Sequence, residues 1–80
     1  MEIKVMGPGC ANCKKLLQMT HDAVKELGVN ANIMYETDIA EIVKTGVMSM
    51  PGLMVNGKVK SMGRIPKVEE IKKYILEAKE

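Results

Sequence analysis

Eighty residues, 46% hydrophobic and 28% charged, describe one folded domain, residues 1–80, near the size at which a single core only just suffices. A net charge of +2, with lysines interleaved with glutamates and only two tyrosines as aromatics, excludes the basic, ring-studded face of a nucleic-acid binder. No apolar run reaches the roughly 20 residues of a membrane span, and the start Met1-Glu2-Ile3-Lys4-Val5-Met6 is too short and charged for a signal peptide. A cytoplasmic protein with no membrane or nucleic-acid partner is therefore expected. Eight methionines and no Phe or Trp mean that Met fills volume usually given to aromatics, with a soft-metal role for some of them as the alternative.

Glu2-Ile3-Lys4-Val5-Met6 alternates and is β-prone, which predicts a first strand. Gly7-Pro8-Gly9 breaks it and delivers the chain to Cys10. From Cys13 the pattern is helical: Leu16, Thr20, Ala23, Val24 and Leu27 recur at three- and four-residue spacing, and Gly28 stands where a C′ glycine stops a helix. Residues 30–36 read as a second strand. Asp38 with Glu41 suggests a capping box for a short helix carrying Ile39, Ile42 and Val43, ended by Gly46.

Leu53-Met54-Val55, Asn56-Gly57 and Lys58-Val59-Lys60-Ser61-Met62 form the most legible stretch, because Asn-Gly between two β-prone runs favours a type I′ hairpin. Pro66 suits the first turn of a last helix with Val68, Ile71, Ile75 and Ala78 as its buried stripe. The element order is βαβαββα, an α/β domain without internal repeats.

The chemistry gathers at Cys10-Ala11-Asn12-Cys13, which contains both cysteines of the chain. Two intervening residues permit a reversible disulfide, and a thiol at a helix N-terminus is biased toward thiolate by unpaired N–H groups and the positive dipole end. A metal clip and two ordinary buried cysteines are the alternatives at this point. In the cytoplasm, a lone C-x-x-C is more often catalytic or metal-binding than a structural staple. Lys14 and Lys15 add positive charge or are plain solvated surface. Asn12 can cap the helix or form the turn, and His21, off the apolar stripe, reads as surface.

Cys10-Ala11-Asn12-Cys13 after the first strand, Ser49-Met50-Pro51 before the third and Gly63 after the last together resemble the thioredoxin fold. Within it, the chain is most similar to the small, glutaredoxin-like redox-active disulfide proteins of archaea and bacteria. The resemblance covers essentially the whole chain. It implies a minimal thioredoxin fold, with a four-stranded mixed sheet in order 2-1-3-4 and three helices. It further implies a thiol–disulfide oxidoreductase that needs no cofactor or metal. Cys10 would be the attacking thiolate and Cys13 the resolving thiol, with Gly9, Ala11 and Asn12 shaping the motif. Met50–Pro51 would be cis and beside the cysteines, so that Met50, Pro51 and Gly63 receive an extended substrate segment by strand addition. Met48, Met50 and Met62 are candidates for an apolar rim around the site or for core filling.

Three departures from the family pattern bear on function. The motif interior is Ala-Asn, so no reduction potential carries over. Gly63 is followed by Arg64, where glutathione-using relatives have a second glycine, so a monomer reduced by a thioredoxin-reductase-type donor is expected ahead of glutathione. Lys4 occupies the place where thioredoxins keep a buried acid. Protein disulfides are the expected substrates. The chain also resembles heavy-metal-associated domains, which supplies the alternative of a Cu(I)-type carrier or sensor. Those domains place Met two residues before the first cysteine and end on a strand, whereas here Met6 is four before and the last element is helical. A third reading is a binding module with incidental cysteines.

Overall fold

The computed structural model describes residues 1–9 and 11–79, the last of these in its backbone alone. The elements follow the expected order: β1 (Glu2–Met6), α1 (Ala11–Leu27), β2 (Asn32–Glu36), α2 (Ile39–Lys44), β3 (Gly52–Val55), β4 (Lys58–Met62) and α3 (Val68–Lys79). They form one four-stranded sheet in order β2-β1-β3-β4. β1 runs parallel to β2, across the α1 crossover, and antiparallel to β3, which pairs antiparallel with β4. This is the minimal thioredoxin fold.

The alternation of β1 divides the interior in two. Ile3 and Val5 point to one face, where Leu53 and Val55 of β3, Leu16 and Ala23 of α1, and Ile71 and Ile75 of α3 complete the main core. Met6 points to the other face and packs with Ile42 of α2 and Val47, flanked by Met50, Met54 and Val59. Both α1 and α3 cover the first face, and they pack against each other. Their contact carries an ion pair between Lys72 and Glu26 at 2.7 Å.

Helix ends follow local chemistry. Gly28 adopts φ +65° and donates its N–H to the carbonyls of Val24 (3.0 Å) and Lys25 (3.2 Å), closing α1 as a C′ glycine does. Buried Thr20 satisfies its hydroxyl by donating to the Leu16 carbonyl at 2.8 Å, which lets a polar residue occupy the apolar stripe. Asn56 (φ +50°) and Gly57 (φ +80°) form the hairpin turn, whose two left-handed residues are what type I′ demands. That turn is also tied to the start of β1, because Glu2 N–H donates to Asn56 Oδ1 at 2.9 Å.

Three local expectations are corrected. At α2, Asp38 accepts the Ala40 N–H, but Glu41 pairs with Lys44, and the Asp38 N–H goes to Glu36 Oε2, so the reciprocal half of the capping box is absent. Ile42 is the buried residue of α2, whereas Ile39 and Val43 are more than half exposed. Pro66 is buried but precedes α3 by two residues. The start of α3 is held by Glu70, whose carboxylate reaches back to the Lys67 N–H, as in the second arm of a capping box.

Candidate active site

The site forms at the end of the sheet where β1 finishes. Gly7 still belongs to the ladder, donating its N–H to the Glu36 carbonyl at 2.9 Å. Gly9 then turns the chain with φ +92° into α1. Cys10 lies outside the described residues. α1 begins at Ala11, so Asn12 is its second residue and not its cap, and both are exposed. No acidic residue stands in the first turn of α1, which leaves the positive end of a 17-residue helix without a compensating carboxylate.

Cys13 comes one turn into the helix, is fully buried and is disulfide-bonded. Gly7 lies against it. A Cβ built on Gly7 would overlap Cys13 Sγ outright and stand 2.9 Å from Cys13 Cβ, so only glycine fits there. The same point lies 4.0 Å from Pro51 Cα. The Cys13 sulfur and the Pro51 backbone thus both border the space into which a Gly7 side chain would project. Pro51 is buried, and the Met50–Pro51 peptide bond is cis.

From Pro51 the contacts lead to Gly63, whose N–H donates to the Pro51 carbonyl at 3.0 Å. Gly63 has φ +76°, and a Cβ there would come within 3.0 Å of Ser49 Cβ, so this position too is restricted to glycine. Cys13, Pro51 and Gly63, separated by up to 50 residues, are therefore brought to one end of the sheet. Met50 is half-buried against the Met6 cluster, while Met48 (87% exposed) and Met62 (45% exposed) face solvent. Of the three methionines read as either rim or core, two are exposed and one, Met50, is shared with the smaller core.

Arg64 is occupied. Its guanidinium pairs with the Glu70 carboxylate, and this contact raises the Arg64 pKa and holds Glu70 below the ordinary glutamate range. Lys14, Lys15 and His21 are exposed on α1. Among the described residues, no group of three or more His, Cys, Asp or Glu side chains stands together as a metal cage, and no helix is long and apolar enough to cross a membrane. Lys4 pairs in register with Met34 and Met54 and lies on the sheet face opposite α1.

Two residues of the site were missed by sequence reasoning. Gly7 reads there only as part of a strand-breaking Gly-Pro-Gly, because nothing local signals that a sulfur from the next helix lies against it. Tyr35, half-buried in β2, is read as a strand residue, yet its hydroxyl reaches the Gly9 turn.

A family model described as a thioredoxin domain matches residues 1–76. The chain belongs to the thioredoxin family. The thioredoxin of Methanothermobacter thermautotrophicus is 43% identical over 75 residues, covering 94% of this chain and 97% of its own. That of Methanocaldococcus jannaschii is 39% identical over 73 residues, covering 91% of this chain and 84% of its own. The match to the thioredoxin model takes in both cysteines, the Met50–Pro51 loop and Gly63.

Proposed function

We propose that this thioredoxin-family protein is a thiol–disulfide oxidoreductase, exchanging electrons with protein disulfides through Cys10 and Cys13. The observation that carries the reading is a disulfide-bonded Cys13 buried against Gly7, next to Pro51. A fully buried sulfur cannot meet the disulfide of another protein, so the first attack falls to Cys10, the other cysteine of the pair.

The Cys10 thiolate attacks one sulfur of the substrate disulfide. The substrate S–S bond breaks, a mixed disulfide forms, and the departing thiolate takes a proton from solvent. Cys13, deprotonated, then attacks the Cys10 sulfur and releases the second substrate thiolate. The substrate has gained two electrons, and the protein ends with a Cys10–Cys13 disulfide. A donor dithiol reverses the second half and is itself oxidised. Ahead of glutathione, a thioredoxin-reductase-type donor fits, because Arg64 replaces a glycine and is engaged by Glu70.

Extended substrate would lie along Met50, whose backbone precedes Pro51, with Gly63 offering no side chain in the way. Met48 and Met62, both exposed, would supply adaptable apolar contact. The protein acts as a monomer in the cytoplasm in this reading.

The test is the midpoint potential of the pair, followed by reduction of a protein disulfide with either a thioredoxin reductase or glutathione as source. Alkylation of the reduced protein near neutral pH is expected to label Cys10 well before Cys13. Equal or reversed labelling would remove the assignment of roles. Uptake of Cu(I) by the reduced chain, with no disulfide reduction by either system, would favour the metal-carrier reading instead.

A further inference from the structure

Two thioethers stand in solvent beside the Pro51 loop. Ser49 and Gly63 meet there: the Ser49 Cβ lies 3.0 Å from where a Gly63 Cβ would stand, and the Gly63 N–H donates to the Pro51 carbonyl at 3.0 Å. Met48 immediately precedes Ser49, and Met62 immediately precedes Gly63. Met62 is fixed further by its register with Gly52, the residue after Pro51. Two methionines from separate parts of the chain therefore border one contact.

A thioether open to solvent is open to oxidation, and one in a packed core is shielded. The methionines divide sharply by this measure. Met6 is fully buried, and the Thr45 hydroxyl donates to its sulfur at 3.5 Å. Met50 and Met54 are half-buried against the same small core. Met34 is 40% exposed, but it lies on β2, at the opposite edge of the sheet from β4. Met48, at 87%, is the most exposed large apolar side chain among the described residues.

We propose that Met48 and Met62 form a sulfoxidation site through which hydroperoxides weaken the docking of protein disulfides, an inference that rests on the oxidoreductase reading above. The thioether sulfur attacks one oxygen of the peroxide, so that an S–O bond forms as the O–O bond breaks. Sulfur gives up two electrons. The departing hydroxide or alkoxide takes the proton from the new sulfoxide oxygen and leaves as water or an alcohol. A flexible apolar contact has then become a polar one, and a substrate packing on it must strip water from the S–O dipole. The change falls on docking and not on the exchange step, because Cys13 is buried and untouched. Small disulfides, with no surface to lay on the rim, escape it.

The experiment treats the disulfide form with hydrogen peroxide, so that the oxidant meets thioethers and not thiols. Wild type, the double variant Met48→Leu/Met62→Leu and Met34→Leu are compared, Leu keeping the apolar volume without the sulfur. Sulfoxides are mapped by peptide mass spectrometry. Each treated chain is then assayed against its own untreated sample, with dithiothreitol as donor and either a protein disulfide or a small aromatic disulfide as substrate.

Oxygen is expected at Met48 first and at Met6 last. Treated wild type and treated Met34→Leu should show a KM for the protein disulfide raised roughly tenfold, the scale of burying an unpaired polar group, with kcat little changed. The treated double variant should match its untreated sample, and turnover of the small disulfide should be unchanged throughout. Methionine sulfoxide reductase should restore the KM of treated wild type.

Three results would overturn the inference: Met48 and Met62 left unmodified while other methionines take oxygen, an unchanged KM in wild type carrying both sulfoxides, or an equal loss in the double variant. Each leaves the oxidoreductase reading standing when untreated wild type reduces both substrates. An untreated wild type that reduces neither removes that reading and the inference with it.

Discussion

The two faces of the sheet are closed by unlike materials. One is covered by α1 and α3, of 17 and 12 residues, and its core cluster of buried side chains is aliphatic, with Thr20 and Cys13 of α1 also fully buried. The other is covered by the six-residue α2 and the loop after it, and its interior is Met6, Ile42 and Val47 with Met50 and Met54 at the margin. The stiff side holds the buried sulfur, because Cys13 belongs to α1. The methionine side underlies Met50 and the approach to Pro51. A rigid reacting group beside an adaptable floor suits the exchange with protein disulfides proposed above, since Met can repack at little cost.

The largest effect expected is on the aliphatic side. Leu16→Ala should cost about 2–5 kcal/mol in denaturant unfolding, because Leu16 is fully buried between two long elements that cannot settle into the gap. An equal loss for Leu16→Ala and Ile42→Ala would break the contrast between the faces.

At the junction of the two, Gly7→Ala should cost about 3 kcal/mol, near the upper end for overpacking, because the added methyl meets a buried sulfur held in a disulfide. Comparing unfolding of the oxidised and reduced forms checks this, since only the reduced Cys13 side chain is free to change rotamer. A neutral Gly7→Ala would mean that the sulfur is not packed there.

Ile42→Ala on the methionine side should cost about 2 kcal/mol, the low end of its class, as α2 is short and exposes Ile39 and Val43 on either side.

The smallest effect belongs to Glu70→Gln, which removes an exposed ion pair with Arg64 and weakens the start of α3. Glu70 has a folded pKa below its ordinary value, so its contribution is fully present above the unfolded glutamate pKa and lost as pH falls through the folded one. The difference between wild type and Glu70→Gln should therefore vanish in acid below the ordinary glutamate range, and shrink with salt. A difference that persisted in acid would mean that Glu70 acts by packing rather than by charge.

Much of this architecture was legible beforehand because it is encoded locally. Alternation marks β1, Asn56-Gly57 demands left-handed backbone and so a tight hairpin, and Gly28 ends a helix for the same steric reason. The exact ends of helices were less legible. Pro66 suits a first turn in isolation, yet it is buried two residues ahead of α3, where Glu70 holds the Lys67 N–H instead. Asp38 and Glu41 have the spacing of a capping box, but Glu36 and Lys44 compete for the same groups and prevail.

By itself, the sequence determined the order of elements, the hairpin and the paired cysteines, since each depends on neighbours within a few residues. Tertiary structure alone decided that Gly7 would wall the Cys13 sulfur, that Gly63 would close on the Pro51 carbonyl, and that the Tyr35 hydroxyl would be buried beside Gly9. Those contacts join strands and loops far apart in the chain. They arise only when sheet register and helix packing have fixed which backbones approach within van der Waals distance, and no local pattern of side chains specifies that distance.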